Sequence, residues 1–361
     1  MTEPSRARTT AALSLIALIS LGFGYLLFSA IKFAIDYLWG AAGPWSGKPP
    51  VPFILTLPVI AGVLVWGIRS RWQDGHNPLA GLALGPVAPR DYPSLVGAVL
   101  VSLLGGLVLG PEVALLFTGS VIGTALGPRL GVAAKTAALA GGGGALIALF
   151  IGPAFAGSAG PGYTYAAGDL VAAGIAALAA CALIAFARLI GLAGPRDRVS
   201  GLWLVGGGAA VGVIAAAYQT VSGESAQLVL TSGEQMIKPL LALDTTSLIA
   251  ATVAVKMVAY GLSMAAGFRG GPYFPAMFAG AGAGAVAAAM LAAAPDAAVT
   301  AGIVAAVTYL AHANWKFTLI LGLILGFLVG GWELAPVGLV AAAIGRAIPR
   351  PDPPRTVTTA T

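Results

Sequence analysis

The chain has 361 residues, of which 58% are hydrophobic and only 9% are charged. About a quarter of the residues of a soluble domain are charged, so this composition excludes an ordinary water-soluble globular protein and favours a protein surrounded by lipid. The net charge of +6 does not indicate nucleic-acid binding, because the basic residues lie in short loops and near the chain ends, as they do around membrane spans.

Apolar stretches recur along the chain, broken by short segments rich in Gly, Pro or charged residues. A membrane-spanning helix needs about 20 mostly apolar residues. The stretches cover residues 12–35, 52–68, 92–109, 170–186, 202–217, 248–266, 297–311 and 317–331. Because lipid offers no partners for backbone N–H and C=O groups, we expect these stretches to be helices. The sequence therefore predicts an all-α integral membrane protein of the multi-pass type.

Charged and Pro-rich segments divide the chain. Arg6 and Arg8 precede the first apolar stretch, and the sequence GPRDR at 194–198 interrupts the middle. The predicted parts are an N-terminus at 1–10, a first membrane repeat at 11–192, a linker at 193–200, a second membrane repeat at 201–348 and a disordered tail at 349–361. Because cytoplasmic flanks are rich in Lys and Arg, both termini are expected on the cytoplasmic side of the cell membrane.

An internal repeat relates the two halves. Residues 110–123, GPEVALLFTGSVIG, align without a gap with residues 271–284, GPYFPAMFAGAGAG. The alignment pairs Gly110 with Gly271, Pro111 with Pro272, Phe117 with Phe278, Gly119 with Gly280, Gly123 with Gly284 and, upstream, Gly106 with Gly267. The alternative is that Gly- and Ala-rich helices resemble one another by composition alone. A Gly-Pro pair and a Phe in register favour a true repeat.

The two Gly-Pro pairs predict helices that begin inside the membrane. Interruptions at corresponding places in two halves indicate a transporter's binding site near the bilayer midplane. Pro suits a first helical turn, because its missing N–H would be unpaired there anyway. The free N–H groups that follow attract anions, together with the positive end of the helix dipole. The predicted anion-binding residues are Gly110, Pro111, Val113, Ala114, Gly271, Pro272, Tyr273, Phe274 and Pro275.

Glu112 is the candidate gating residue, because it follows the first Gly-Pro pair in an apolar region without a neighbouring basic residue. An ionisable group inside a membrane is costly and indicates function. Its carboxylate could occupy the anion site as a tethered competitor, and protonation would release it. The alternative is a carboxylate that only caps a helix. Tyr273, its partner in the repeat, could wall the ion path or could be a packing or interfacial aromatic residue.

A polar segment, DGHNP at 74–78, is the candidate for an inner anion site at Gly75, His76 and Asn77, although a cytoplasmic turn explains the same residues. The two histidines, His76 and His312, lie far apart without metal-ligand spacing, so neither a metal nor a cofactor is expected. The motifs HExxH and GxSxG do not occur, so the chain is not expected to be an enzyme.

These residues resemble the CLC family of chloride channels and chloride/proton exchangers. The sequence GGPYFP at 270–275, followed by Gly280 and Gly284, is similar to the family's second-half GGxFxP signature, and VLGPE at 108–112 is similar to its first-half GREGP signature. A third stretch, FIGPAFAG at 150–157, is similar to FNAPLAG. On this resemblance Glu112 takes the place of the external gating glutamate, and Tyr273 that of the aromatic residue beside the central anion.

The resemblance also implies an architecture. It implies two inverted-topology repeats of tilted and broken transmembrane helices, and a homodimer with one anion pathway in each subunit. The chain departs from the family where Pro111 replaces an Arg and Val113-Ala114 replace Gly-Pro. Residues 162–165, GYTY, contain no acid where the exchangers often carry an inner glutamate. The last tyrosine is Tyr309, so the inner-gate tyrosine is also missing. These departures favour uncoupled conduction over proton exchange.

The sequence therefore predicts transport of small inorganic anions, with chloride as the expected transported ligand, through a pathway gated by Glu112. The expected partners are these anions, the lipid bilayer and a second copy of the chain, but no nucleic acid. Two alternatives stay open: a non-conducting membrane scaffold or sensor with the same fold, and a secondary transporter of another small anionic solute. Convergence of the two helix starts beside a cavity would favour transport. Arginines lining that cavity would favour another solute.

Overall fold

The computed structural model describes residues 6–72, 77–81, 85–150, 163–195 and 199–352, and these form 13 α-helices. The helices are α1 (Arg6–Trp39), α2 (Val51–Arg71), α3 (Tyr92–Leu104), α4 (Glu112–Leu126), α5 (Ala134–Ile147), α6 (Ala167–Leu192), α7 (Gly201–Ser222), α8 (Ile237–Leu241), α9 (Thr246–Ala266), α10 (Tyr273–Met290), α11 (Pro295–Ala311), α12 (Trp315–Gly330) and α13 (Ala335–Ala347). The described residues include no β-strand, only an isolated bridge of one residue pair.

Six helices are long and apolar enough to cross a membrane, namely α1, α2, α6, α7, α9 and α10. Their outer faces carry exposed apolar side chains, such as Leu26 at 66% and Phe33 at 69% exposure on α1. Exposed apolar faces of this size suit a lipid solvent rather than water. The prediction of an all-α, multi-pass membrane protein is confirmed.

The other apolar helices are shorter, with 10–17 residues. Helix α3, for example, has 13 residues, which at ~1.5 Å per residue is about 20 Å long. The hydrocarbon core of a bilayer is ~30 Å thick. Short helices of this kind place irregular backbone at membrane depth, where only burial inside the protein can satisfy its polar groups. The predicted broken helices are therefore present.

The gapless repeat is confirmed in three dimensions. Helices α4 and α10 begin at Glu112 and Tyr273, which are 161 residues apart, and α5 and α11 begin at Ala134 and Pro295, the same distance apart in sequence. Before α4 and α10 the chain turns at a glycine with positive φ, namely Gly106 at +84° and Gly267 at +92°. Glycine adopts this conformation without steric cost.

The helix pairs of the two halves also cross at equivalent glycines. Helix α4 packs against α5, and α10 packs against α11. A Cβ atom on Gly119 would collide with the backbone of Gly141, and one on Gly280 would collide with that of Gly302. Close backbone approach through small residues is a general feature of helix packing in membranes. The repeat therefore specifies the crossing points as well as the helix starts.

The predicted linker at 193–200 falls between the end of α6 at Leu192 and the start of α7 at Gly201. The structure differs from the predicted disordered tail at its first four residues. Residues 349–352 follow α13 and are hydrogen-bonded to the helices, through the carbonyls of Pro349 and Pro351 and the carboxylate of Asp352. The rest of that tail, 353–361, lies outside the described residues.

Candidate functional site

The two Gly-Pro segments meet at a single antiparallel bridge. The amide of Gly110 donates to the carbonyl of Gly271 at 2.6 Å, and the amide of Gly271 donates to the carbonyl of Gly110 at 2.7 Å. A reciprocal pair of hydrogen bonds between equivalent residues is what a local twofold axis produces. The two interrupted helices therefore start side by side, from opposite halves of the chain.

Each helix start leaves its first amides available. Pro111 is the N-cap of α4 and Pro272 is the N-cap of α10, one position earlier than the first helical turn that the sequence predicts. Neither cap residue makes a side-chain hydrogen bond to its helix. The first N–H groups of a helix have no partner within the helix and carry partial positive charge. An anion placed between the two starts would meet both sets.

Glu112 places its own carboxylate at this position. Its Oε1 accepts a hydrogen bond from the Tyr273 amide at 2.6 Å, and the amide of Phe274 also interacts with the carboxylate. The side chain is 1% exposed, and Oε2 has no hydrogen-bond partner among the described residues. The carboxylate of the first half is thus held by the helix start of the second half.

Glycines on both sides leave room for this carboxylate. A Cβ atom built on Gly110 would collide with both carboxylate oxygens of Glu112, and one built on Gly271 would collide with its carboxyl carbon. The two bridging glycines thus leave a space that a carboxylate fills.

A cavity of about 240 Å³ adjoins the carboxylate. Its walls come from α4, α5, α10, α11, α12 and the short 3-10 helix Ala148–Phe150. The lining residues are Glu112, Leu146, Leu149, Phe150, Tyr273, Phe274, Met277, Val307, Ala311, Phe317, Leu321 and Leu325. These described residues include no Lys or Arg. The predicted gate and its repeat partner therefore share one largely apolar cavity.

Two serines brace the site, and they are not among the residues predicted from the sequence. The hydroxyl of Ser263 accepts from the amide of Val108 at 3.1 Å, and that of Ser102 accepts from the amide of Arg269 at 3.2 Å. Each serine lies on one half and holds the turn that precedes the Gly-Pro pair of the other half. Extending the repeat alignment upstream would have found them, because Ser102 aligns with Ser263 in the same register.

Tyr260 is a second residue that sequence reasoning missed. It is fully buried on α9, and its hydroxyl donates to the carbonyl of Pro272 at 3.1 Å. A buried tyrosine hydroxyl normally finds such a partner. The contact holds the N-cap of α10 and so helps to aim the amide of Tyr273 at Glu112.

Lys256 stabilises the loop 228–231, which packs on the turn at Gly106 before α4. Its ammonium group is fully buried and donates to four consecutive carbonyls, those of Leu228, Val229, Leu230 and Thr231, at 2.8 to 3.4 Å. The amide of Thr231 in turn donates to the carbonyl of Gly106 at 3.0 Å. The lysine therefore neutralises a cluster of backbone carbonyls in this loop.

The predicted inner site is described only in part. Gly75 and His76 lie outside the described residues. The side chain of Asn77 accepts from the amide of Leu79 at 3.0 Å and caps the short 3-10 helix Pro78–Ala80. The Asn77 side chain thus caps a 3-10 helix. This structural role agrees with the alternative prediction that the segment is a turn.

Asp169 of α6 contacts Tyr163, whose own segment at 162–165 contains no acid. The hydroxyl of Tyr163 donates to Asp169 at 2.9 Å, and burial together with this hydrogen bond raises the pKa of the Tyr163 phenol. Asp169 also accepts from the amides of Ala166 and Ala294 at 3.2 and 3.0 Å. Three hydrogen bonds tie this carboxylate to the start of α6 and to the segment before α11.

Comparison with known proteins identifies the architecture. No protein-family model matches the chain. A protein of Salmonella paratyphi A, provisionally named as ion-transport protein YfeO, is 33% identical over 138 residues, and its Escherichia coli SMS-3-5 counterpart is 31% identical over 140 residues. These matches cover 35% of this chain and about one third of each relative.

Solved structures match nearly the whole chain. A CLC-type fluoride/proton antiporter superimposes with a TM-score of 0.69, and a slow cyanobacterial Cl⁻/H⁺ antiporter with a TM-score of 0.65, each at 16% identity and over 96% of this chain. The match covers 97% of the first structure's chain and 96% of the second's. A eukaryotic CLC transporter matches with a TM-score of 0.58 over 95% of this chain and 73% of its own. The chain therefore has a CLC-type fold, as its motifs predict.

Proposed function

We propose that this protein is a divergent CLC-type transport protein that moves small inorganic anions, chloride first among them, across the membrane. One observation carries the proposal: the Glu112 carboxylate lies between two helix starts from opposite halves and accepts the Tyr273 amide at 2.6 Å. A carboxylate held by backbone amides at a helix start occupies the place that a free anion would take.

Glu112 acts in this proposal as a tethered competitor of the transported anion. While Glu112 is ionised, its carboxylate accepts the hydrogen bond of the Tyr273 amide and blocks the anion pathway. When it takes up a proton, its negative charge is lost and its hydrogen bond weakens, because a bond to a charged acceptor is about twice as strong as a neutral one. The side chain can then leave, and the space between Gly110 and Gly271 becomes available to chloride.

The cavity supports a small inorganic anion rather than a larger solute. Its described lining includes no Lys or Arg, whereas recognition of a carboxylate solute normally uses a planar, bidentate Arg. Backbone amides alone suit a spherical ion. Two of the structural neighbours are named for chloride and fluoride, so both halides belong in the test of selectivity.

We infer that conduction is not coupled to protons. The segment 162–165 contains no acid, and Asp169, the acid beside it, is engaged in three hydrogen bonds. Both halide-named neighbours are proton antiporters, so the experiment has to measure protons and anions together.

The test is anion efflux from liposomes that contain the purified protein, with proton uptake recorded in the same cuvette. We expect chloride efflux without stoichiometric proton movement. For the wild type, efflux should rise as the pH falls from about 7 to about 4, the range in which carboxyl groups gain protons. For Glu112→Gln, efflux should be at least as fast as wild type at neutral pH and should not depend on pH.

Glu224→Gln is the matched control, because it makes the same chemical change in the loop after α7. Its pH dependence should equal that of the wild type. An unchanged pH dependence in Glu112→Gln would overturn the gate. Stoichiometric proton movement would make the protein an exchanger. Absence of efflux with chloride, nitrate and fluoride, from protein that is folded and monodisperse, would favour the scaffold or other-solute alternatives.

A further inference from the structure

Arg188 is a buried cation near the C-terminal end of an apolar helix. It lies on α6, a membrane-spanning helix, and is 1% exposed. One of its terminal nitrogens, Nη2, donates to the carbonyl of Leu79 at 3.1 Å and to the carboxylate of Asp352 at 3.0 Å, and Nε donates to the carbonyl of Pro351 at 3.0 Å. A buried charge in a membrane helix is costly and marks a functional group by default.

The negative partner of Arg188 comes from the segment that follows α13. Asp352 is 46% exposed and also accepts from Nε of Arg350 at 2.6 Å. The Arg350 guanidinium donates to the carbonyl of Leu310, and the hydroxyl of Tyr309 donates to the carbonyl of Pro349 at 3.3 Å. Residues 349–352 therefore form a short strap across the end of α11, with its one carboxylate on a buried guanidinium.

This cluster contacts the segment next to the predicted inner anion site, and the charges of Arg188 and Arg350 also act on the Tyr273 side chain. Leu79, which accepts from Arg188, belongs to the 3-10 helix capped by Asn77. Arg188 is thus hydrogen-bonded to the helix that follows the predicted inner anion site.

The two members of the ion pair differ in how easily they can leave it. Asp352 is nearly half exposed in the strap 349–352, so water can solvate its carboxylate when the ion pair opens. Arg188 is buried within α6 and stays charged, because guanidinium groups are not deprotonated in proteins. When Asp352 leaves, the buried cation requires another anion.

We propose that Arg188 forms a second anion site beside the pathway, for a small inorganic anion such as chloride, and that Asp352 competes for it as a tethered carboxylate. This inference rests on the proposed function and adds a second gate to it. Glu112 and Asp352 then act alike: each is a carboxylate of the chain that occupies a site meant for the transported ion. One is held by backbone amides and the other by a guanidinium.

The test compares the dependence of efflux on chloride concentration in reconstituted full-length protein. Asp352→Asn should lower the half-saturating chloride concentration by about tenfold, the change that ~1.4 kcal/mol of lost competition produces. The maximal rate should change by less than about twofold, because saturating chloride already displaces a competitor. Arg188→Gln should raise the half-saturating concentration by about tenfold, and Arg188→Lys should lie between the wild type and Arg188→Gln.

Asp91→Asn is the matched control, because Asp91 belongs to a surface ion pair with the 86% exposed Arg90 at 3.6 Å. It should leave the half-saturating concentration unchanged. The double variant separates competition from anchoring: in the Arg188→Gln background, Asp352→Asn should no longer have an effect. Chloride titration calorimetry on detergent-purified Asp352→Asn protein supplies a second measurement that does not depend on a folded Arg188→Gln variant.

The outcomes distinguish this inference from the proposed function. If wild type and Asp91→Asn conduct chloride but Asp352→Asn has the same chloride dependence and the same chloride affinity, the ion pair is only an anchor for the strap. The Glu112 gate would then stand alone. If the wild type neither conducts nor binds chloride, both proposals fall together.

Discussion

Glu112 bridges the two halves of the chain, because its Oε1 accepts from the Tyr273 amide at 2.6 Å and its carboxylate also interacts with the Phe274 amide. Gly110 and Gly271 leave room for it, since a side chain on either would collide with the carboxylate. At the scale of single residues, the site therefore depends as much on two absent side chains as on one acidic side chain.

Lys256 offers a test of how the loop over the site is stabilised. We expect Lys256→Met to lower the free energy of unfolding by about 3 kcal/mol, because four buried carbonyls lose their donor while the apolar stem is kept. The measurement is the midpoint of thermal unfolding in detergent, followed by tryptophan fluorescence. Lys238→Met, at an exposed position of α8, should stay within about 0.5 kcal/mol of wild type. Equal midpoints for the two variants would contradict this role.

At the scale of helices, the two halves use the same packing device. Helix α4 approaches α5 at Gly119 and Gly141, and α10 approaches α11 at Gly280 and Gly302, with backbone against backbone in each case. Lipid provides little hydrophobic driving force between helices, so such close contacts contribute much of their association.

The run of four glycines in α5 allows this contact to be tested with a control in the same helix. Gly141→Ala should destabilise the protein by about 1–3 kcal/mol, because its Cβ would collide with the carbonyl of Gly119. Gly143→Ala should be neutral or stabilising by about 0.5–1 kcal/mol, since nothing lies near its Cβ position and Ala favours the helix. Thermal unfolding in detergent compares them, and a neutral Gly141→Ala would argue against the tight crossing.

At the scale of the whole molecule, the pseudo-twofold relation explains why the candidate site lies where it does. The two helix starts come from equivalent positions of the two halves and meet at one point. The bridge between Gly110 and Gly271 and the exchanged contacts of Ser102 and Ser263 are consequences of that symmetry. A homodimer stays a prediction, because it rests on the family resemblance alone.

The orientation in the membrane can be tested with introduced cysteines. The native Cys181 is buried and should not react with an impermeant maleimide. If the N-terminus is cytoplasmic and α1 crosses once, Ala42→Cys in the α1–α2 loop should react from outside intact cells. Arg90→Cys, beyond α2 at an 86% exposed position, should react only after permeabilisation. The reverse pattern would place the N-terminus outside.

How much the sequence could predict depended on whether the signal was local. Glu112, the Gly-Pro pairs and the repeat were visible because an acid and two interruptions stand out in an apolar chain, and the helix starts lie within one residue of their predicted places. Ser102 and Ser263 were overlooked although the repeat pairs them, because a serine in an apolar helix is not unusual. Arg188 stands out in the apolar sequence of α6 and was overlooked, whereas its pairing with Asp352, 164 residues away, had no local signal.

By itself the sequence determined that the protein is surrounded by lipid and helical, and that each half contains an equivalent helix start. These conclusions rest on composition, on the length of the apolar stretches and on the spacing of the two Gly-Pro pairs, which are all local properties of the sequence. Only the tertiary structure decided that the starts touch, that the carboxylate of one half accepts the Tyr273 amide of the other, and that the strap at 349–352 reaches a buried guanidinium. Those contacts join residues more than 160 positions apart, and their geometry follows from helix packing, which no local pattern encodes.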